Sequence, residues 1–208
     1  MRRGKIVCVG QNYRAHIKEM SSEEPPEPVL FLKPFSSLIG DGEEIIIPAG
    51  IGSVHHEVEL ALIIGRDGKK IPADKAMQHV RSVAVFNDIT ARDLQTTARQ
   101  AGLPWALSKG MDTFAPMGAP VSRREVKDLH SLELELRVNG EFRQKGNTAQ
   151  MIFPPEDLIS FISRYMTLER GDVIATGTPS GVGPLKNGDL VEARIAGVGK
   201  LTNRVRQA

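Results

Sequence analysis

The chain has 208 residues and a mass of 22.7 kDa, enough for one compact domain over 1–208 with a sizeable core and too few for two comfortable ones. Its 27 Lys and Arg nearly balance 25 Asp and Glu, and no basic run is dense enough to neutralise a phosphate backbone, so nucleic acid is excluded as a partner. With 20 Gly and 13 Pro the chain is rich in turns, which argues against a long helical bundle.

The opening Met1-Arg2-Arg3 carries the charge of a signal peptide, but the apolar run at 6–9 is too short for its hydrophobic segment. No stretch approaches membrane-spanning length, and a cytoplasmic location without a membrane partner is expected. Residues 5–10 (KIVCVG) predict a buried strand, and Cys8, the only cysteine, is expected to be a buried strand residue and not a nucleophile. Two turns of helix follow to Met20, broken by a loop at 21–28 (SSEEPPEP). Strands are predicted at 29–32, where Lys33 and Pro34 end the run, and at 44–47. The run 54–64 (VHHEVELALII) reads as one strand, 72–80 as a helix, 83–89 as a second buried strand and 90–101 as a helix. Residues 102–120 read as loop. The alternating LELELRV at 132–138, the Asn139-Gly140 turn and a return at 141–145 predict a solvated hairpin. A helix at 155–166 with proline in its first turn and strands at 172–176, 190–195 and 200–205 close the chain.

Alternation along 54–64 points Glu57 and Glu59 to the same face as Ala61 and Ile63, and both faces look apolar. Burying two carboxylates together costs several kcal/mol per ion, so something must offset it. A shared proton, Arg or Lys partners, or a divalent cation would each serve. Asp88, at the end of the strand VAVFNDI, is equally awkward alone, and three such acids would form an oxygen-only cage that selects Mg²⁺ or Mn²⁺ over zinc. Spacing leaves another arrangement open, with Glu57 and Glu59 facing water at a sheet edge and Asp88 capping the next helix. His55 and His56 read as polar rim residues, not ligands. His16 and Glu19, three apart, share a helix face, where the carboxylate would raise the basicity of the imidazole; an exposed surface pair is the plainer reading of that spacing. Lys109, between Gly and Pro residues in LPWALSKGMD, could meet a substrate carboxylate or a developing enolate.

In chain order, CVGQNYRAHIKEM, PVLFLKP, HHEVELALIIG, NDITARDLQ, GLPWALSKGMDTFAP and GDVIATGTPSGVGP resemble the fumarylacetoacetate hydrolase family, and more narrowly its small acylpyruvase or oxaloacetate decarboxylase branch. The resemblance implies an α+β fold, a mixed β-sheet roll with peripheral short helices, and a homodimer. It implies Glu57, Glu59 and Asp88 as the ligands of Mg²⁺ or Mn²⁺, Lys109 as an active-site lysine and Gln95 as substrate-binding. His16 and Glu19 match the water-activating dyad, and Thr178 the turn whose amide and hydroxyl meet the substrate carboxylate. Larger members carry a fourth acidic ligand seven residues before the dyad histidine, where this chain has Val9, so three protein ligands are expected. The resemblance also leads us to expect a chain that begins almost at the catalytic domain, without the N-terminal domain of many relatives. The implied chemistry is metal-dependent cleavage of a carbon–carbon bond in a small 2-oxo acid, by acylpyruvate hydrolysis or oxaloacetate decarboxylation. The alternatives are isomerisation, tautomerisation or decarboxylation of an unsaturated diacid in aromatic catabolism, and a non-catalytic scaffold.

Overall fold

The computed structural model describes residues 4–208, so the charged start at Met1-Arg2-Arg3 lies outside the described residues. The chain opens with β1 (Ile6–Gly10), α1 (Arg14–Glu19), β2 (Val29–Lys33), β3 (Leu38–Ile39) and β4 (Glu44–Ile47). Residues 54–64 are not one strand. They form β5 (Val54–His56) and β6 (Val58–Ile64), which separate at Glu57. The predicted helix at 72–80 shrinks to α2 (Ala73–Ala76) and a 3₁₀ turn, and β7 (Val80–Asn87) follows. The helix predicted from residue 90 begins two residues later, because Thr90–Ala91 pairs with β5 as β8 and leaves α3 as Arg92–Gln100. The expected loop at 102–120 contains a one-turn helix, α4 (Ala106–Lys109), and β9 (Ala115–Pro116) before β10 (Val121–Ser122). Then come β11 (Glu133–Val138), β12 (Glu141–Asn147), α5 (Pro155–Tyr165), β13 (Val173–Ala175), β14 (Gly183–Pro184), β15 (Leu190–Ile195) and β16 (Gly199–Gln207).

The main sheet has the order β10-β7-β6-β13-β1-β2, antiparallel except where β1 lies parallel to β13. A second sheet, β12-β11-β15-β16-β4, packs Leu134, Leu136, Val138 and Leu201 against Val7, Leu60, Leu62 and Val85 of the first. The hairpin β11-β12 is therefore solvated on one face only. Its turn matches expectation, with Asn139 and Gly140 both at positive φ (53° and 81°) as a type I′ turn requires. The other face of the main sheet is also covered, by a cluster that holds Cys8, Ala61, Phe86 and Ala115. Burial on both sides explains why these strands read as continuous apolar runs instead of alternating ones. A third sheet, β14-β5-β8, meets the main one where the chain passes through Glu57. These are the mixed sheets and few short helices that the resemblance implied.

Candidate active site

Glu57, Glu59 and Asp88 are all buried, and one carboxylate oxygen from each lies within 4.8 Å of the others. The juncture of two sheets achieves this. The Asn87 side chain accepts from the Glu57 N–H at 2.8 Å, and the Asp88 N–H donates to the Glu57 carbonyl at 2.8 Å, so the two acids stay opposite each other as the strands part. Glu59 continues the row of Ala61 and Ile63 one pleat further along. Its Oε2 accepts from the N–H of Gly177 at 2.8 Å.

Fixed cations serve two of these acids. Lys109, at the end of α4 and buried, donates to Glu57 Oε2 at 2.9 Å, to Asp88 Oδ2 and to the Thr90 hydroxyl at 2.6 Å. Arg92 donates to Glu57 Oε1 and to Gln95. Burial alone would raise Glu57, but Lys109 and Arg92 outweigh it and hold its carboxyl well below the usual range. The same two acids keep Lys109 protonated against its own burial. Glu59 has no ion-pair partner among the described residues, and burial, reinforced by Asp88 and Glu57, pushes its pKa well up.

Lys33 completes the charge pattern. It does not end its strand at the surface: it is 1% exposed, with Nζ donating to the carbonyls of Ile89 (2.9 Å), Lys109 (2.6 Å) and Phe114 (2.7 Å). Burial lowers its pKa and Asp88 opposes the shift, while three carbonyl acceptors around Nζ favour the ammonium form. Asp88 Oδ1 lies 2.8 Å from the same nitrogen as an ion pair, outside hydrogen-bond geometry. That buried oxygen and the uncompensated Glu59 are what a cation bound among three carboxylates would satisfy, and an all-oxygen set suits a hard ion. The residues fit a divalent metal.

These acids line a cleft that also receives His16, Gln95, Arg99, Trp105 and Thr178. His16 is nearly buried, and its Nδ1 lies 3.0 Å from Glu19 Oε2. A carboxylate accepts there, so Nδ1 carries the hydrogen, and in the neutral ring Nε2 is the nitrogen that can act as base. Glu19 is held in turn by the Gly181 N–H at 3.0 Å. Asn12 locks this corner by donating to the Thr176 and Phe153 carbonyls (2.8 and 3.0 Å) and accepting from the Phe153 N–H (2.8 Å). Of the site residues singled out from sequence, all but Glu19 line this cleft directly, Glu19 standing behind His16, and Val9 lines it as an apolar wall.

Thr178 lines the cleft, its hydroxyl donating to Val58 O at 2.8 Å and accepting from Gln144 Nε2 at 2.7 Å. One sequence expectation fails here. His56 is no rim residue: it is fully buried, its Nδ1 2.9 Å from Gln144 Oε1, and burial lowers its pKa. Gln144, Lys33 and Arg92 are the residues that sequence reasoning missed. PVLFLKP and TARDLQ contain two of them, and the signal was a lysine inside an apolar run and an arginine three residues before Gln95.

The sequence matches the family described as fumarylacetoacetate (FAA) hydrolase, C-terminal, over residues 5–206. It is 51% identical to the mitochondrial oxaloacetate tautomerase FAHD1 of Arabidopsis thaliana, across 95% of this chain and 88% of that protein. It is 48% identical to the mitochondrial oxaloacetate decarboxylase of Dictyostelium discoideum, across 93% of this chain and 89% of that one. Fumarylpyruvate hydrolase from Pseudomonas aeruginosa, solved in complex with Mn²⁺ and pyruvate, superposes with a TM-score of 0.95 at 36% identity, covering 99% of this chain and 91% of that one. A cleft with three convergent acids and a sequence match along nearly its whole length lead to one conclusion: the chain belongs to the fumarylacetoacetate hydrolase family of enzymes.

Proposed function

We propose that this enzyme binds Mg²⁺ or Mn²⁺ through Glu57, Glu59 and Asp88 and cleaves a carbon–carbon bond in a small 2-oxo acid, by acylpyruvate hydrolysis, oxaloacetate decarboxylation or both. The observation that carries the reading is that His16, backed by Glu19, opens on the same cleft as the three acids. When bound, the cation supplies Lewis-acid stabilisation of negative charge on the 2-oxo oxygen.

The side chains do the rest. In hydrolysis, His16 Nε2 takes a proton from water as its oxygen adds to the C4 carbonyl. The C3–C4 bond then breaks, its electron pair passes to the enolate of pyruvate, and His16 returns the proton to C3. In decarboxylation the same bond breaks with loss of CO₂, and no attacking water is needed. Lys109 keeps the acids ionised and holds positive charge beside the developing enolate. Gln95 is fixed by Arg92 toward the substrate side of α3. The homodimer implied by the resemblance belongs to this proposal, and the exposed Leu32, Leu103 and Leu107 support it.

A second reading has its own support: a relative at 51% identity is named an oxaloacetate tautomerase. Moving one proton between C3 and the 2-oxo oxygen uses the same residues and breaks no carbon–carbon bond. Metal-stripped protein with Mg²⁺ or Mn²⁺ added back, tested on acetylpyruvate, fumarylpyruvate, oxaloacetate and an unsaturated hydroxydioate, separates these chemistries. His16→Ala should abolish acylpyruvate hydrolysis, a loss on the order of 10²-fold or more. Retained hydrolysis in that variant removes the dyad from the mechanism, and activity that survives chelation removes the metal.

A further inference from the structure

The cations of the cleft are committed, with one exception. Arg92 and Lys109 pair with Glu57 and Asp88, and His16 faces Glu19. Arg99 also lines the cleft, yet no carboxylate of a described residue pairs with it. Among the described residues its guanidinium has one polar partner, Ser22, whose hydroxyl accepts from Nη2 at 2.9 Å.

Position gives this guanidinium a role. Arg92, Gln95 and Arg99 fall at i, i+3 and i+7 on α3, one stripe of the helix, running from the acids toward the cleft mouth. Seven residues of helix advance about 10 Å, and an arginine side chain can reach back over much of that distance. Arg99 is exposed at the mouth, and its bond to Ser22 ties α3 to the turn that ends α1, where the Ser22 N–H donates to Ile17 O at 3.1 Å. Met20, Phe31 and Trp105 form the remaining walls there and offer no competing charge.

We propose that Arg99 receives a second carboxylate at the far end of the substrate, so the enzyme selects 2-oxo diacids over 2-oxo monoacids of the same length. This rests on the reading of the acids as a 2-oxo acid site. The planar fork matches a carboxylate in two parallel hydrogen bonds, which a single serine hydroxyl cannot equal, so Ser22 is displaced when the diacid enters.

Trp105, the only tryptophan, lines the cleft, so its fluorescence reads occupancy without turnover. Mg²⁺-loaded protein is titrated with 2-oxoglutarate and with 2-oxopentanoate, which have equal chain length and differ only in a terminal carboxylate or methyl. The wild type should bind the diacid about tenfold more tightly, the scale of a partly desolvated charge pair. Arg99→Met should erase that preference while moving monoacid affinity less than twofold, and Arg99→Lys should keep part of it. Ser22→Ala, which removes the tether and leaves the charge, should retain it. Equal weakening of both ligands in Arg99→Met, or a preference that survives it, overturns the assignment. If neither ligand perturbs Trp105 in protein shown to hold Mg²⁺, the 2-oxo acid reading falls first and the assignment with it.

Discussion

At the scale of single residues, the site is a problem of charge. Three carboxylates sit in a region dry enough that each alone would cost several kcal/mol, and three cations from separate segments stand behind them: Lys33 on β2, Arg92 on α3 and Lys109 on α4. Lys33 is the most constrained, because its ammonium ties together three carbonyls and leans on Asp88. Replacing it by Met strands those carbonyls and leaves Asp88 with less positive charge, so Lys33→Met should lower stability by about 3–5 kcal/mol, read as a fall in the urea midpoint. Lys33→Arg should not rescue it, since a planar fork cannot satisfy three carbonyls disposed around one nitrogen. A midpoint unchanged in Lys33→Met would show that the buried ammonium contributes nothing. The acids themselves were legible in sequence, because a charge inside an apolar strand is conspicuous. Their partners were not: Lys33 precedes a proline and looks like a strand terminator, Arg92 opens a polar helix, and only long-range folding brings either to Glu57 or Asp88.

Among elements, the informative feature is the break at Glu57. No Gly or Pro interrupts 54–64, so turn chemistry offers no reason to divide it, and the division comes from competing partners: β5 pairs with β8 and β14, while β6 pairs with β7 and β13. The buried face of α3 was invisible for a related reason. It carries Arg92 and Gln95, so the apolar stripe that marks an ordinary helix is absent. By contrast β1, the type I′ hairpin and α5 followed directly from local pattern and turn chemistry. The turn after β13 joins these elements to the site, since Gly177 sits at φ 96° and gives its N–H to Glu59. A Cβ there would stand 2.7 Å from Asn12 Cβ and 3.2 Å from Val9 O, both parts of the corner that carries α1. Gly177→Ala is therefore expected to destabilise by about 1–3 kcal/mol through backbone strain. Because the same turn positions Glu59 and Thr178, activity should fall further than the folded fraction does. A variant that denatures early but retains full specific activity below its melting range would separate the turn from the site.

For the whole molecule, the same groups determine how stability responds to pH and metal. Glu59 without metal has a raised pKa, so its contribution is intact below the ordinary carboxylate range and is lost as pH rises through the folded value. His55 acts in the opposite sense: burial, with Arg92 beside it, lowers it to about 4, so its contribution is intact above the usual imidazole range and disappears as pH falls toward that value. Buried His56 shifts in the same direction as His55. The metal-free protein is thus weakened from both sides, by imidazoles that must charge in acid and by a carboxylate that resists ionising above it. On the proposed reading a divalent cation would relieve the second weakness only, because binding needs the ionised form of Glu59. The rise in melting temperature on saturation with Mg²⁺ should therefore be larger at pH 8 than at pH 6, and in Glu59→Gln the pH-dependent part of that rise should vanish. Melting curves of stripped and loaded protein at both pH values test this directly. An equal rise at the two values would mean that Glu59 is already ionised without metal, and that Lys109 and Lys33 neutralise the acids unaided.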